Sequence, residues 1–350
     1  MNGPVLITGG AGFLGTNIAA ALARRGNDVV IFDNLAREHV EQNLAWLKHN
    51  FGERIRVIVA DVRDANAIAD AVAGTSAVVH LAAQVAVTTS VLRPAEDFEV
   101  NARGTLNVLE AVRTLAPDAM VLFASTNKVY GKLLDFHELV LDGARHVPAD
   151  RKTRFGFDER TPLSFCSPYG CSKGAADQYV LDYSRVYGLK AAVFRMSGLY
   201  GPHQFGHEDQ GWVAHFLISA LNGKPLTIYG DGCQMRDVLY VDDAVRAWLM
   251  ALDRPFDFSG HAFNLGGGPG NAISLLDLIA HIETMTGRRV DYTFDAWRPG
   301  DQIWYVSDTR ALEAATGWTP TVAVEDGLRR LAAWLQAEGI GQPERARRSA

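Results

Sequence analysis

Residues 4–15 read PVLITGGAGFLG, and this stretch decides the architecture. Pro4–Thr8 is a short apolar run of the kind that forms a buried strand. It stops on TGGAGFLG, Thr8 to Gly15, where Gly9, Gly12 and Gly15 fall at every third position. Phe13–Arg25 then shows helical periodicity. Without Cβ atoms, glycines let the chain turn tightly, let a pyrophosphate approach the helix N-terminus, and let the helix pack on the strand. Three glycines alone also fit a plain strand–helix turn. The next strand selects between the two. DVVIF (Asp28–Phe32) is followed by Asp33, roughly 20 residues past the glycines, where an acid binds the adenosine ribose of a dinucleotide. A carboxylate there repels a 2′-phosphate, so NAD is expected rather than NADP. Arg37, close by, reads as a solvated loop arginine.

The same alternation continues outward. IRVIV (Ile55–Val59), AVVHL (Ala77–Leu81), MVLFA (Met120–Ala124) and AAVFR (Ala191–Arg195) read as strands. Val40–Asn50, Ala65–Val72, Phe98–Leu115 and Pro168–Tyr187 read as helices. Apolar strands alternating with helices predict an α/β fold, a Rossmann-type doubly wound parallel sheet. Later residues are less regular. Gly198–Gly211 reads as a loop, Trp212–Leu221 as a helix, Leu226–Tyr229 as a strand, Val241–Leu252 as a helix, Gly266–Asn271 as a turn and Leu275–Thr286 as a helix. The expected division is a dinucleotide-binding domain over 1–195, rejoined by segments around 230–262. A smaller α/β substrate lobe covers most of 196–338, and 339–350 is a basic, disordered tail.

Bulk properties exclude other classes. With 350 residues the chain is long enough for a large core. A net charge of −6 argues against nucleic acid or an anionic membrane as partner. Cys166, Cys171 and Cys233 form no CxxC pair, so neither a disulfide framework nor a metal site is expected. No apolar run approaches the ~20 residues of a membrane span, and the start lacks a secretory pattern, so a cytoplasmic protein is expected.

Two further motifs carry chemistry. In SPYGCSK, Pro168 suits the first turn of a helix, and Tyr169 and Lys173 then lie four apart on one face. A phenol is a poor base at neutral pH, and a neighbouring ammonium stabilises its anion. Ser125-Thr126 closes a strand at its carboxyl end, where such sheets bind ligands. A hydroxyl there can hold a reacting hydroxyl in line with Tyr169. Serine and threonine also simply end strands. Asp61-Val62, just past the third strand, is placed to meet adenine, and Asp61 equally suits a helix cap.

Together these features resemble the extended short-chain dehydrogenase/reductase family of sugar-nucleotide enzymes, from Thr8 to about Arg329. LAAQ (Leu81, Ala82, Ala83, Gln84), Asn101, YGPHQFG, IYGDG, RDVLYVDD, NLGGG and RPGD belong to the likeness. The resemblance implies Thr126, Tyr169 and Lys173 as the catalytic triad. It implies an NAD site of Gly9, Gly12, Phe13, Leu14, Gly15, Asp33, Asn34, Asp61, Val62, Leu81, Ala82, Ala83, Gln84, Asn101, Tyr169 and Lys173. A homodimer built on the helices at 98–115 and 168–187 is implied as well.

The family includes 4-epimerases, 4,6-dehydratases, decarboxylases and 2-epimerases. After Thr126, dehydratases carry two acids, whereas this chain has Asn127 and Lys128, which cannot act as a carboxyl acid–base pair. STNKVYG, FDERTPLSFCSPYGCSKGAADQYVLDY and EDQGWVAHF are similar to the CDP-tyvelose (CDP-paratose) 2-epimerase branch. So are DNLAR with NLAWLK, VAVTTS, and the insertion from Gly131 to Glu159. The implied substrate is a nucleotide-diphosphate sugar, with CDP favoured. Arg236 and Arg298 read as diphosphate clamps or as surface salt bridges. Asp301 is expected at the nucleotide ribose, Thr227 and Tyr229 beside the base, and Thr126, Asn127, Gln204 and Phe205 around the sugar. Trp212 and His215 line the pocket, or Trp212 serves the core. Gly198, His203 and Cys233 stand where the branch carries Cys, Arg and Lys, so two positive charges are expected to be missing near the nucleotide. The rival readings are a UDP-sugar 4-epimerase, another nucleotide-sugar oxidoreductase, and a non-catalytic NAD-binding sensor.

Overall fold

In the computed structural model, residues 3–133, 138–150, 153–298 and 300–341 are described. Seven parallel strands form the central sheet. The first five are β1 (Val5–Thr8), β2 (Val29–Asp33), β3 (Ile55–Val59), β4 (Ala77–His80) and β5 (Met120–Thr126). A hairpin of β6 (Leu139–Asp142) and β7 (Arg145–Pro148) follows within the 131–159 insertion. The sheet resumes with β8 (Ala191–Met196). Strands β9 (Gly198–Tyr200), β10 (Leu226–Tyr229) and β11 (Met235–Tyr240) come next, and β12 (Ala262–Leu265) closes the sheet edge. The order β12-β8-β5-β4-β1-β2-β3 winds outward both ways from the β1/β4 junction. That junction is the switch point where such sheets bind ligands.

Period-two burial explains why these runs are strands. Val5, Ile7, Val29, Ile31, Val79 and Leu122 enter the core on one face. Leu6, Val30, Phe32, Val78, Val121 and Phe123 enter the core on the other. Helices cover both faces: α1 (Phe13–Arg24), α2 (Val40–Phe51), α3 (Ala65–Val72), α4 (Val87–Leu92), α5 (Pro94–Phe98), α6 (Gly104–Leu115) and α7 (Pro168–Tyr187). Between α5 and α6 the helix widens into a π turn over Glu99–Arg103, and Asn101 sits in it.

The second lobe holds α8 (Trp212–Leu221) and a small sheet. In it β11 is flanked by β9, by β13 (Ala272–Ser274) and by β15 (Trp304–Tyr305), while β10 pairs with β14 (Tyr292–Asp295). Gly198–Tyr200, expected as loop, is thus a strand in register with Val238–Tyr240. Three residues are too few to show a period. The helix at Val241–Asp253 packs back on α1. Of the expected tail, Gly341 is held by its N–H to Asn222 Oδ1 at 3.2 Å, and 342–350 lie outside the described residues.

Candidate active site

The glycine turn is shaped by close approach. Gly9 has φ +67°, and a Cβ on it would stand 2.7 Å from the Ala82 nitrogen. A Cβ on Gly15 would meet the Gly9 oxygen at 2.6 Å. Gly12 begins α1 with no side-chain cap and no acid in the first turn, at Phe13 and Leu14, so the helix's positive end is free for an anion. Asp33 stands beside it, with Oδ2 accepting the Ala11 N–H at 3.0 Å and Oδ1 the Leu35 N–H at 2.9 Å. Burial pushes its carboxyl up, and these two N–H groups oppose that. An anion-ready helix end beside a fixed carboxylate fits a dinucleotide, its pyrophosphate on the one and its ribose on the other. Leu81 and Ala82 pass Thr8, with N–H bonds to its oxygen at 3.0 Å and its Oγ1 at 3.3 Å. Ala83 follows, and Gln84 exchanges main-chain bonds of 2.9 Å with the Asn101 amide.

Asn34 is bound to Asp61 at 2.9 Å, and Arg63 grips both Asp61 oxygens. The cap of α3 is Asp64, not Asp61. Val62 directly follows Asp61. Its side chain is buried in the core, and a Cβ on Gly104 would stand 2.7 Å from its Cγ2.

Thr126 ends β5, and Tyr169 opens α7 behind Pro168, with Ser167 capping the helix. Burial pushes the Tyr169 phenol up to about 12, and the Thr126 hydroxyl beside it pulls the other way. Lys173 is buried one turn on, its Nζ 4.1 Å from the centre of the Phe123 ring. Burial pushes its ammonium down to about 7, against the pull of Asp177 and Asp97. Asn101 donates to Ser172 at 3.0 Å and to Asp97 at 3.2 Å, tying the π turn to α7. Ser125 faces away from the site and donates to Asp177 at 2.7 Å. Asp177 takes a two-pronged bond from Arg195, at 2.9 and 3.0 Å.

A cavity of about 560 Å³ opens in front of Tyr169 and Thr126. Its wall includes Asn127, Trp212, His215, Thr227, Tyr229, Arg236, Arg298 and Asp301, as expected from the sequence. Asn127 is locked by Nδ2 to Gln302 Oε1 at 3.2 Å. Asp301 Oδ1 accepts from Lys128 at 3.1 Å and from Arg236 at 2.7 Å. Burial works against the Asp301 charge, but these two cations outweigh it and hold the carboxyl well below the usual range. Arg298 lies 3.9 Å over the Tyr229 ring and pairs with Glu208 and Asp209 at 3.1 and 3.4 Å. Such half-exposed pairs are weak, so a phosphate can displace the acids. Both arginines thus make salt bridges in the cavity wall. Trp212 likewise lines the cavity and packs on Phe216 with ring centres 5.9 Å apart.

Two sugar-wall candidates are corrected. Phe205 packs between His39 and Trp334, with ring centres at 4.8 and 5.4 Å, and Gln204 bonds the Leu199 oxygen at 3.1 Å. Neither is in the cavity wall. Nor are His203 and Cys233. His203 is buried against Trp46 and Trp334, and burial pushes it down to about 4. Gly198 has a β-strand conformation, and a Cβ there would make ordinary contacts of 3.4–3.5 Å, so backbone geometry does not require glycine.

Residues that the sequence left unnoticed also converge here. Thr88 and Gln234 line the cavity, and each has a buried oxygen without a hydrogen-bond partner among the described residues. Asp97, Asp177 and Arg195 hold α7 in place. The one visible signal was an arginine closing an otherwise apolar run, AAVFR.

Known proteins share this arrangement. The model of the NAD dependent epimerase/dehydratase family matches residues 5–266. CDP-paratose 2-epimerase of Salmonella typhi is 42% identical over 95% of this chain and 99% of its own length. A putative UDP-glucose 4-epimerase of Methanocaldococcus jannaschii is 31% identical over 95% and 98%. The dTDP-glucose 4,6-dehydratase of Streptomyces venezuelae, solved with NAD bound, superposes with a TM-score of 0.81 at 28% identity, over 95% and 97%. The chain belongs to the NAD dependent epimerase/dehydratase family and is an NAD-dependent enzyme of nucleotide-sugar chemistry.

Proposed function

We propose that the enzyme inverts C2 of a CDP-hexose of the paratose/tyvelose type through a transient 2-keto sugar. The observation that carries an epimerase is the turn after Thr126. Asn127 is locked to Gln302 and Lys128 to Asp301, so no carboxylate pair is offered for eliminating water. The likeness to CDP-paratose 2-epimerase over nearly its whole length supports C2 and the cytidine nucleotide.

Bound NAD⁺ supplies the acceptor for the hydride of the reacting carbon and its return. The chain's own residues do the rest. Tyr169 takes the proton of the adjoining hydroxyl and gives it back, and Thr126 holds that hydroxyl beside the phenol. The charged form of Lys173 favours the phenolate. Arg236, Lys128 and Arg298 bind the diphosphate. Val85, Val87, Val91, Leu92 and Phe216 give the cavity an apolar wall, which lets a keto sugar turn without breaking directional bonds. The reading extends to a homodimer, supported by exposed Phe98, Leu115, Tyr179, Val186 and Tyr187 on α5, α6 and α7.

A CDP-hexose deuterated at C2 should turn over more slowly, with C4 deuteration silent. A primary effect at C4 with none at C2 would replace this reading with 4-epimerisation. That second reading is favoured by the Methanocaldococcus relative.

A further inference from the structure

Asp97, near the end of α5, is 1% exposed. Its Oδ2 accepts from the Ser172 hydroxyl, and its Oδ1 from Gln84 Nε2 at 2.9 Å and Asn101 Nδ2 at 3.2 Å. All three donors are neutral, and no lysine or arginine forms a salt bridge with Asp97 among the described residues. A buried carboxylate without a cation is costly. Ser172 directly precedes Lys173 in α7, so the carboxylate and the ammonium flank one turn of helix, and each feels the other's charge.

Lys173 is 2% exposed and needs such a partner. Burial works against its charge, and Asp177 and then Asp97 support it. Asp177 pulls harder, but Arg195 grips both its oxygens and offsets its charge. The other groups packed on the ammonium bring no charge. His80 of β4 lies between the hydroxyls of Thr8 and Thr105, at 2.6 and 3.0 Å, and burial pushes it down to about 3. Phe123 of β5 offers a ring face. Tyr169 offers an un-ionised phenol, which feels burial, Thr126, Asp97 and Arg37 in that order. Asp97 is thus the acid beside Lys173 whose charge no arginine offsets.

We propose that Asp97 is the counter-ion of Lys173 and keeps its ammonium charged inside the fold. It is a positioning residue that acts through Lys173, and the inference rests on the Tyr169–Lys173 pair of the proposed mechanism, not on the sugar. Asp97→Asn removes the charge and keeps the bonds. The amide oxygen can face Gln84 and Asn101, and its N–H₂ can face Ser172, whose hydroxyl then turns to the Tyr169 carbonyl 3.2 Å away. Losing a negative neighbour lowers the pKa of Lys173 and Tyr169 alike. Both limbs of the kcat–pH profile of the NAD⁺-loaded full chain should therefore move toward acid by about one unit, with about a tenfold loss on the alkaline limb. A residue that only props the helix lowers kcat and leaves the limbs in place, and that result overturns the assignment. Melts of the full chain stripped of dinucleotide test the pair without substrate. Burial already pushes Lys173 down to about 7. The variant pushes it lower, so its added penalty is present below that value and gone well above it. Asp97→Asn should cost about 2 °C more in Tm at pH 6 than at pH 9. In a Lys173→Met background that difference should vanish. An equal change at both pH values, or a difference that survives Lys173→Met, overturns the counter-ion. If wild type turns over no CDP-hexose, the proposed substrate falls and the melts still decide Asp97.

Discussion

Replacing Lys173 with methionine should stabilise the dinucleotide-free protein at neutral pH while abolishing turnover. Burial pushes the Lys173 ammonium from 10.5 down to about 7. One unit of pKa corresponds to about 1.4 kcal/mol, so holding that charge in the fold costs on the order of 5 kcal/mol. Methionine fills similar space without the charge. The variant forfeits the cation over Phe123, worth about 2 kcal/mol when desolvated, and leaves Asp97 and Asp177 without a neighbouring ammonium. A net gain of about 2 kcal/mol remains, or roughly 3 °C in Tm for a chain of this size. The sign with pH follows from the lowered value. Between about pH 7 and 10.5 the unfolded chain holds a proton that the folded chain has shed, so wild-type stability rises with pH there. The penalty is complete below pH 7 and gone above the unfolded value. The advantage of Lys173→Met should therefore be largest near pH 6–7 and fade toward pH 10. Thermal melts of both proteins, stripped of dinucleotide, measure this. A variant that is less stable at pH 7, or an advantage constant across the range, refutes a buried, strained ammonium. Such a site trades stability for chemistry.

How far the sequence reached depends on whether the signal was local. The helix Pro168–Tyr187 was legible to the residue, because a proline opens it, Gly188 closes it in the left-handed region, and both ends are marked in the chain itself. The sheet strands were legible because burial on both faces leaves uninterrupted apolar runs. Thr126, Tyr169 and Lys173 converge because a strand end and one helix face suffice to place them. Phe205 and Gln204 failed for the opposite reason. A loop side chain takes its direction from what packs on it, here Trp334 from the helix at Val324–Ala337, and nothing near residue 205 encodes that contact. Asp97 and Asp177 gain meaning from partners far along the chain, and no spacing rule points to them.

Tyr169→Phe should lower kcat by about 10²–10⁴ while leaving CDP binding within a few-fold, because the lost oxygen is an acid–base group; activity near wild type would remove Tyr169 from the chemistry. Sedimentation should report a dimer, and Tyr179→Glu with Val186→Glu should shift it to monomer; a wild-type monomer at micromolar concentration sinks the bundle. The last expectation concerns Arg195→Met. Tyr169, Lys173 and Asp177 are spaced four apart on α7, and Asp177 is fully buried. Its carboxylate joins β8 through Arg195 and β5 through Ser125, the neighbour of Thr126. Removing Arg195 takes from this buried charge its two-pronged partner and leaves it the Ser125 and Gln178 hydrogen bonds and the Lys173 ammonium, a loss of about 3–5 kcal/mol. The clamp also sets how α7 faces the end of β5, so kcat per folded molecule should fall while KM for the sugar nucleotide holds. Adding Asp177→Leu removes the stranded charge and should recover most of the Tm but not the kcat, since Thr126 and Tyr169 then lack the tie that aligns them. A double variant that regains kcat, or a single variant with unchanged Tm, would show that the pair does not hold α7 in place.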